Sequence, residues 1–378
     1  MRLVAALIAT LLLAPLSARA EATASAQTAM EDLRAAAKAL EAAEGSQDRV
    51  AALTRTVQAY ESGLAALREG LRHAAIREAA IKGVFEAESD RLAQLLGVLQ
   101  SIEAAPEPSL LLHPDGPKGT VRAGMILSDV TPALSREAAE LRLALTEVAT
   151  LRALQEAAVM TLEEGLQGVQ EARTELSQAV SNRTDLPRRF VADDVAMENL
   201  ISSADTLESF AGGLMSAAVE DASVVVPMAD FTAARGTLAM PVLGRVIRTY
   251  DETDAAGVRR PGWVIATRPL TLVTLPWAAT IRYLGPLLDY GQVAIVEPGE
   301  GYLLVLAGLG QLFGEVGEVL PQGAPVGLMG GAEAADSQAF LMTAAQGGGA
   351  EATETLYMEL RWNGSPVDPT EWFARSAK

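Results

Sequence analysis

The chain of 378 residues has no cysteine, two histidines and few aromatic side chains, which make up 4% of the total. Without cysteine there is no disulfide framework, no thiolate nucleophile and no cysteine-ligated metal. Two histidines are too few for most zinc sites or for Ser-His catalysis, which bring several imidazoles together. Basic residues are also scarce, with 30 Lys and Arg against 48 Asp and Glu and a formal net charge of -18. Such an acidic chain repels phosphate, so nucleic acid is not expected as a partner.

Residues 1–20 have the pattern of a secretory signal peptide. Arg2 precedes an apolar run over residues 3–14, and a small-residue triplet at 18–20 ends the segment. The apolar run is about a dozen residues, short of the roughly 20 that span a bilayer, which favours cleavage over a membrane anchor. We therefore expect cleavage after Ala20 and export to a bacterial periplasm.

Two long segments have the heptad pattern of coiled-coil helices. Proline is absent from residue 21 to residue 102, and apolar residues recur at spacings of three and four from Val50 to Ile102. A second run begins near Pro132 and ends before Pro187. Two such segments joined by a turn region can fold back on each other. The sequence predicts an antiparallel helical hairpin over residues 21–190.

A third amphipathic segment follows in the predicted linker, residues 191–236. It runs from Asp193 to about Glu220 and places Leu207, Phe210 and Leu214 on one face. Two interpretations are open. The segment is either a connector that packs on its neighbours or a detachable regulatory helix.

Residues 237–378 have the pattern of a compact antiparallel β domain. Short apolar runs alternate with glycine and proline turns there, which is typical of β-strands in such a domain. The predicted strands are 244–249, 263–267, 270–274, 279–284, 292–296, 302–307, 325–329 and 356–362. The predicted fold class is therefore α+β and multidomain, a long antiparallel helical hairpin followed by an antiparallel β domain.

The β domain resembles the LytM-type (lysostaphin-like) zinc endopeptidase domains. The stretch GTLAMPVLGRV at 236–246 resembles the first strand of that family, and further segments follow in the family's order over roughly 237–373. These are PGWVI at 261–265, YGQVAIVEPG at 290–299, GYLLVLAGL at 301–309, GEVGEV at 314–319, GAPVG at 323–327 and LYMELRWNGSPVDP at 356–369. The last segment is close to the family pattern LHFEiR.nGkpvdP.

The metal-binding side chains of that family are replaced in this chain. The family binds zinc through an H-x-x-x-D motif and the second histidine of an H-x-H motif, with two further histidines beside the attacking water. The matching positions here are Arg260, Val264, Gly308, Thr355 and Tyr357. A permanently protonated guanidinium and an isopropyl group cannot bind a cation, and catalytic zinc needs three protein ligands. The resemblance therefore implies a degenerate peptidase domain with no metal, no cofactor and no hydrolytic activity.

A degenerate LytM domain behind a signal peptide and a coiled coil resembles the EnvC-type murein hydrolase activators. The resemblance implies a non-catalytic periplasmic activator of N-acetylmuramoyl-L-alanine amidases in septal peptidoglycan splitting during cell division. It further implies that the hairpin binds the periplasmic part of a division-associated ABC-transporter-like complex. Residues 193–220 would restrain the docking groove, and peptidoglycan is a further expected partner.

The expected amidase-binding groove occupies the former active site. Its predicted residues are Arg260, Trp263, Val264, Gly308, Thr355, Tyr357 and Arg361. Loss of the polar ligands leaves an apolar trough suited to an amphipathic helix, with Trp263 and Tyr357 as anchors and Arg361 facing a partner carboxylate. The alternatives are that the aromatic residues belong to the core and that the arginines are solvated surface cations.

Two other functions remain open from the sequence. One is a residual cell-wall hydrolase that uses carboxylates such as Glu297, Glu359 and Asp368, because paired carboxylates can cleave glycosides. The other is a peptidoglycan-binding or structural scaffold that regulates no enzyme. An Ala- and Gly-rich insertion at 331–355 is expected to be mobile, and a loop of this length can cover or rim the groove; the sequence assigns it no role.

Overall fold

A computed structural model describes residues 45–87, 116–183, 186–190, 193–216, 230–253, 259–299, 301–331 and 353–374, with single residues at 35, 38, 42, 93, 97 and 257. The predicted signal peptide, His113 and most of the predicted insertion lie outside the described residues. So does the part of the predicted third segment beyond Ser216.

In the part of the chain that the structure describes, four α-helices precede a ten-stranded antiparallel sheet, which confirms the predicted fold class. The helices are α1 Ser46–Ala87, α2 Gly116–Ser181, α3 Asp194–Ser203 and α4 Leu207–Ser216. The strands are β1 Gly244–Arg248, β2 Trp263–Thr267, β3 Leu272–Thr274, β4 Ala279–Pro286, β5 Gln292–Gly299, β6 Tyr302–Leu312, β7 Val319–Leu320, β8 Pro325–Met329, β9 Glu354–Trp362 and β10 Ser365–Val367. Among the described residues, no helix is both long and apolar enough to cross a membrane.

The described chain divides into two compact units, and the predicted hairpin contributes to both. One unit contains α1 up to Ala66, α2 from Glu164 and the β domain, so the base of the hairpin belongs with the sheet. There α1 and α2 run antiparallel, because Leu64 contacts Gly165 and Tyr60 contacts Gly168. A side chain at either glycine would collide with its neighbour, so the two glycines allow the helices to approach closely.

The second unit contains residues 67–163 of the hairpin. Ion pairs join the two helices there, Arg77 with Glu147 at 2.8 Å and Arg152 with Glu78 at 2.9 Å. A small apolar cluster lies beside these ion pairs. It consists of Ala74, Ile81 and Leu151, with Phe85, Ala144 and Val148 at its edge.

Two helix boundaries differ from the prediction. Helix α2 begins at Gly116, and Pro132 lies inside it, so the expected start near Pro132 is wrong. A proline costs about 3 kcal/mol in a helix interior, a local penalty that need not end a long helix. The predicted third segment is also two helices, because α3 ends at Ser203 and α4 begins at Leu207.

Side-chain caps mark where α3 and α4 begin. Asp193 caps α3 by accepting hydrogen bonds from the amides of Val195 and Ala196. Thr206 and Ser209 form reciprocal hydrogen bonds, the amide of Ser209 donating to Thr206 Oγ1 at 3.1 Å and the amide of Thr206 to Ser209 Oγ at 3.2 Å. This arrangement is a capping box, which begins a new helix.

The strand order of the sheet is β1-β2-β9-β6-β5-β4-β7, and every pairing is antiparallel. Strand β8 pairs with β3 and β6, and β10 pairs with β9. All eight predicted strands are present. The short strands β7 and β10 were not predicted from the sequence. Strand β6 continues five residues beyond its predicted end at Ala307.

The sheet separates two buried clusters. Alternate residues of a strand face opposite sides, so β9 sends Leu356, Met358 and Leu360 to one side and Tyr357 to the other. The first side carries the larger core, closed by the aromatic residues Phe231, Trp372 and Phe373. We call the second side the α4 face, because α4 packs against it.

Candidate functional site

Helix α4 lies on one face of the sheet through an apolar stripe. Leu207, Phe210, Ala211 and Leu214 are buried, and they recur at the spacing of one helix face. They pack against a row of buried side chains on four strands and the loop after β4. These are Tyr283, Leu287, Val293, Ile295, Leu303, Val305, Ala307 and Tyr357, with Val264 and Tyr290 at the edge.

Three neighbouring strands bring the centre of the candidate site together. Tyr357 of β9 lies directly opposite Val264 of β2 on one side and Ala307 of β6 on the other. The Tyr357 ring occupies the space in which a side chain at position 262 would lie, so Gly262 is needed there. This part of the face is aromatic and aliphatic.

A polar chain of side chains runs along β9 beside this apolar row. The Tyr357 hydroxyl donates a 2.5 Å hydrogen bond to Glu359 Oε2, and Arg361 Nη1 pairs with Glu359 Oε1. Burial raises the pKa of Tyr357, and the Glu359 carboxyl raises it further, so the phenol remains protonated. Burial also raises the pKa of Glu359, against the opposing effects of Tyr357 and Arg361.

Arg361 is buried and already paired, which corrects its predicted role as a cation that awaits a partner. It is 2% exposed, and its Nε and Nη2 donate to the Gly364 carbonyl at 3.1 and 2.6 Å. Its Nη2 also lies 3.9 Å from Glu208 of α4. The carboxylates that Arg361 meets, Glu359 of β9 and Glu208 of α4, therefore both belong to this chain.

Arg260 contributes to the same face from the loop before β2. It is exposed, and its guanidinium lies 5.7 Å from the ring centroid of Tyr290. The Tyr290 ring in turn lies 5.4 Å from the Tyr357 ring. Burial raises the pKa of Tyr290, while the positive charge of Arg260 opposes the shift. Arg260 is thus the solvent-exposed end of a row of contacts that leads through Tyr290 to Tyr357.

The remaining predicted residues have different positions. Trp263 lies on the opposite side of the sheet, where its ring packs 5.5 Å from Phe373. It is therefore a core residue and cannot anchor a partner on the α4 face. Thr355 is exposed, two residues before Tyr357 on the same strand. Gly308 lies next to it with φ +92, and a Cβ there would be 2.6 Å from the Thr355 carbonyl oxygen.

The described residues contain no group of three His, Cys, Asp or Glu side chains that could hold a metal ion. The carboxylates considered for a residual hydrolase lie in separate places. Glu297 pairs with Arg282 at 3.3 Å, Glu359 pairs with Arg361, and Asp368 caps the turn at Thr370. They do not form a catalytic pair.

The sequence reasoning missed Arg282, which holds the C-terminal end of α4. Its Nη2 donates a 2.7 Å hydrogen bond to the Leu214 carbonyl, and its Nη1 lies 3.3 Å from Glu297 Oε2. A signal was present in the sequence. Arg282 and Glu297 are single, opposite charges within otherwise apolar strands, where an unpaired charge is costly.

Comparison with known proteins gives partial matches. No model of a known protein family matches the chain. A stretch of 142 residues is 25% identical to the uncharacterized protein NMB1333 of Neisseria meningitidis serogroup B, which covers 38% of this chain. The chain spans about a fifth of the length of that curated relative, 21%.

Solved structures that resemble the chain include peptidase domains. Helicobacter pylori Csd3 matches with 19% identity and a TM-score of 0.28, over 37% of this chain and 35% of that one. The catalytic domain of the M23 protein EnpA from Enterococcus faecalis matches with 15% identity and a TM-score of 0.27, over 35% of this chain and 96% of that one. The catalytic domain of lysostaphin from Staphylococcus simulans matches with 15% identity and a TM-score of 0.27, over 33% and 89%.

Proposed function

We propose that the β domain is a LytM-type domain without a metal site, and that its α4 face binds a helix of a partner protein. The observation that supports this is α4 itself. An amphipathic helix of this chain occupies the face on which Val264 and Tyr357 stand at the former ligand positions. A face that accommodates one amphipathic helix has the shape and apolar character to bind another.

The partner we propose is an N-acetylmuramoyl-L-alanine amidase. The proposal is supported by the order of the LytM-like segments and by the predicted signal peptide and helical hairpin before them. In this account the protein acts in the periplasm during septal peptidoglycan splitting. Its hairpin binds the periplasmic part of a division-associated ABC-transporter-like complex, and α4 restrains the docking face until it is displaced.

The domain itself is not an enzyme in this proposal. Its former metal positions carry side chains that bind no zinc, and Glu359 is engaged by Tyr357 and Arg361. The alternative, a scaffold that regulates no enzyme, does not explain why an apolar helix covers this face.

The proposal is tested by dye release from labelled peptidoglycan sacculi with a purified amidase. The parent chain is compared with Phe210→Asp, which places a charge at a fully buried position of α4. We expect stronger stimulation by Phe210→Asp, because burying an unpaired carboxylate is costly and α4 leaves the sheet. Asn199→Asp, which adds the same charge at an exposed position of α3, serves as the matched control and should behave like the parent.

The remaining outcomes separate the alternatives. Dye release by the protein alone that a chelator abolishes would establish a metal-dependent hydrolase and contradict the non-catalytic proposal. Binding to sacculi without any stimulation of the amidase, even with Phe210→Asp, would favour the scaffold.

A further inference from the structure

Helix α4 is held at its C-terminal end by an arginine of the sheet. The Leu214 carbonyl, which accepts from Arg282, belongs to the last turn of α4. Carbonyls of the last turn have no partner within their own helix, and they form the negative end of the helix dipole. A guanidinium at this place therefore satisfies a free acceptor and stabilises the docked helix.

Arg282 is shielded from water on several sides. It is 7% exposed, and Glu297 and the ring of Phe190 flank its guanidinium, the ring centroid at 5.0 Å. Burial lowers the pKa of Arg282, Arg189 lowers it further, and the Glu297 charge opposes the shift. In such a dry environment a charge-assisted hydrogen bond is stronger than in water.

The shielding ring belongs to the described segment that follows α2 in the chain. Phe190 and Arg189 lie at the end of segment 186–190, a few residues beyond α2, and Arg189 Nη1 lies 3.5 Å from Glu297 Oε2. The backbone of this segment pairs with the turn before β7, since the Arg189 amide donates to Gly317 at 2.8 Å. A Cβ at Gly317 would collide with the Phe190 carbonyl, so the glycine allows the close approach.

We propose that Phe190 controls how firmly α4 is held, by covering Arg282 while Arg282 donates to the Leu214 carbonyl. Arg282 is then the positioning residue for α4, and Phe190 acts through it. When the ring moves away, water reaches the guanidinium and competes for it, and α4 opens more often. The inference rests on the proposed role of α4 as a cover, and it names a route of contacts from segment 186–190 to that cover.

The absence of cysteine makes this route measurable. Ala211 of α4 is fully buried, and Ala211→Cys would introduce the only thiol of the chain. A maleimide reacts with this thiol only when α4 opens, so the labelling rate reports the open population. The full chain with Ala211→Cys is the reference for all variants.

We expect Arg282→Gln to raise the labelling rate about tenfold or more, the factor expected for a lost charge-assisted hydrogen bond. Phe190→Ala should raise it in the same direction by a smaller factor. The double variant should label no faster than Arg282→Gln alone, because Phe190 acts through Arg282.

Two controls make the result specific. Arg188→Gln changes the neighbouring arginine, which pairs with Glu315 at the surface, and should leave the rate unchanged. Ala294→Cys places the thiol in the core on the other side of the sheet and should remain protected in every background. If Phe190→Ala also exposes the thiol at position 294, the same labelling comparison is made with Phe190→Leu. This variant keeps the bulk of the side chain and loses its aromatic face.

An unchanged labelling rate in the Phe190 variant, or a factor that multiplies fully with that of Arg282→Gln, would overturn the inference. The readout needs no amidase. If the amidase assay fails but the labelling rates show that Phe190 and Arg282 are coupled, the proposed partner is wrong. The role of Phe190 and Arg282 in holding α4 would then still stand.

Discussion

The ring of Phe210 in α4 meets the ring of Tyr283 in β4 edge to face, with centroids 4.8 Å apart and planes at 73°. Phe210 is fully buried, and the Tyr283 hydroxyl donates a 2.6 Å hydrogen bond to the Pro286 carbonyl, which fixes its ring. Edge-to-face pairs contribute more than their buried area alone. This contact is central to the packing of α4 on the sheet.

Phe210→Ala should release α4 without unfolding the sheet. Truncating a buried phenylalanine costs about 3–5 kcal/mol, and we expect this cost to fall on the docking of α4. Hydrogen exchange should show amides 207–216 losing protection while those of β5 and β6 keep theirs. Asn199→Ala, at an exposed position of α3, should change neither region. Equal loss of protection in the strands would show that α4 and the sheet unfold together.

Removal of Arg361 should destabilise the domain more at high pH than at low pH. Arg361→Met leaves the buried Glu359 without its cation, and breaking a buried pair costs about 3–5 kcal/mol. The pKa of Glu359, already raised by burial, rises further when Arg361 is lost. A carboxyl with a raised folded pKa contributes stability below its unfolded pKa and loses it as pH rises through the folded pKa.

Urea unfolding of Arg361→Met at about pH 5 and about pH 8 tests this sign, with the larger loss expected at the higher pH. The matched control is Arg72→Met, whose partner Glu69 is half-exposed on α1. A surface pair of this kind contributes about 0–1 kcal/mol. A loss of stability for Arg361→Met that does not depend on pH would contradict the assignment of Glu359.

The base of the hairpin should depend on one buried carboxylate. Glu61 Oε1 accepts from Arg173 Nη2 and from the Leu272 amide, both at 2.9 Å, and so joins α1, α2 and β3. Glu61→Gln removes the charge that neutralises a buried arginine, which costs about 3–5 kcal/mol. Thermal unfolding should show a clearly lowered Tm. Glu171→Gln, on the exposed side of α2, should leave Tm within error, and an equal effect of both variants would contradict the account.

Gly308 is required by the backbone, whatever its role in docking. Its φ is +92, and an added Cβ would lie 2.6 Å from the Thr355 carbonyl oxygen. Gly291 has φ +70, and a Cβ added there would meet no atom within 4 Å, so Gly291→Ala measures the conformational cost alone. With ψ -142, Gly291 lies outside the left-handed helical region, so that cost is about 1–3 kcal/mol, and Gly308→Ala should exceed it because of the collision. Similar unfolding free energies for the two variants would contradict this prediction, because they would show that β6 shifts to relieve the collision at no cost in stability.

The strands were predictable because local patterns determine them. Alternating apolar residues between glycine and proline turns placed all eight predicted strands, for example β2 and β9. The start of α2 was not predictable from Pro132, because a proline stops a helix only when nothing else holds the flanking turns. The break before α4 was visible in Thr206 and Ser209, whose spacing is that of a capping box.

The candidate site was predictable in position and not in detail. Motif order placed Val264 and Tyr357 together, and they are direct neighbours across two strands. Adjacent residues of a strand face opposite sides, so Trp263 and Val264 could not both line one groove. The partners of Arg282 lie far from it in sequence, and no local pattern pairs Arg282 with Leu214.

The central claim is that α4 and the partner compete for one face, and thiol labelling in the presence of the amidase tests it most directly. In the full chain with Ala211→Cys, an amidase that binds the α4 face must favour the open form, so labelling should accelerate as amidase is added. By the same linkage, chain already labelled at this position should bind the amidase more tightly. An amidase that is stimulated while the thiol at position 211 remains protected would contradict the account, because the partner would then dock elsewhere.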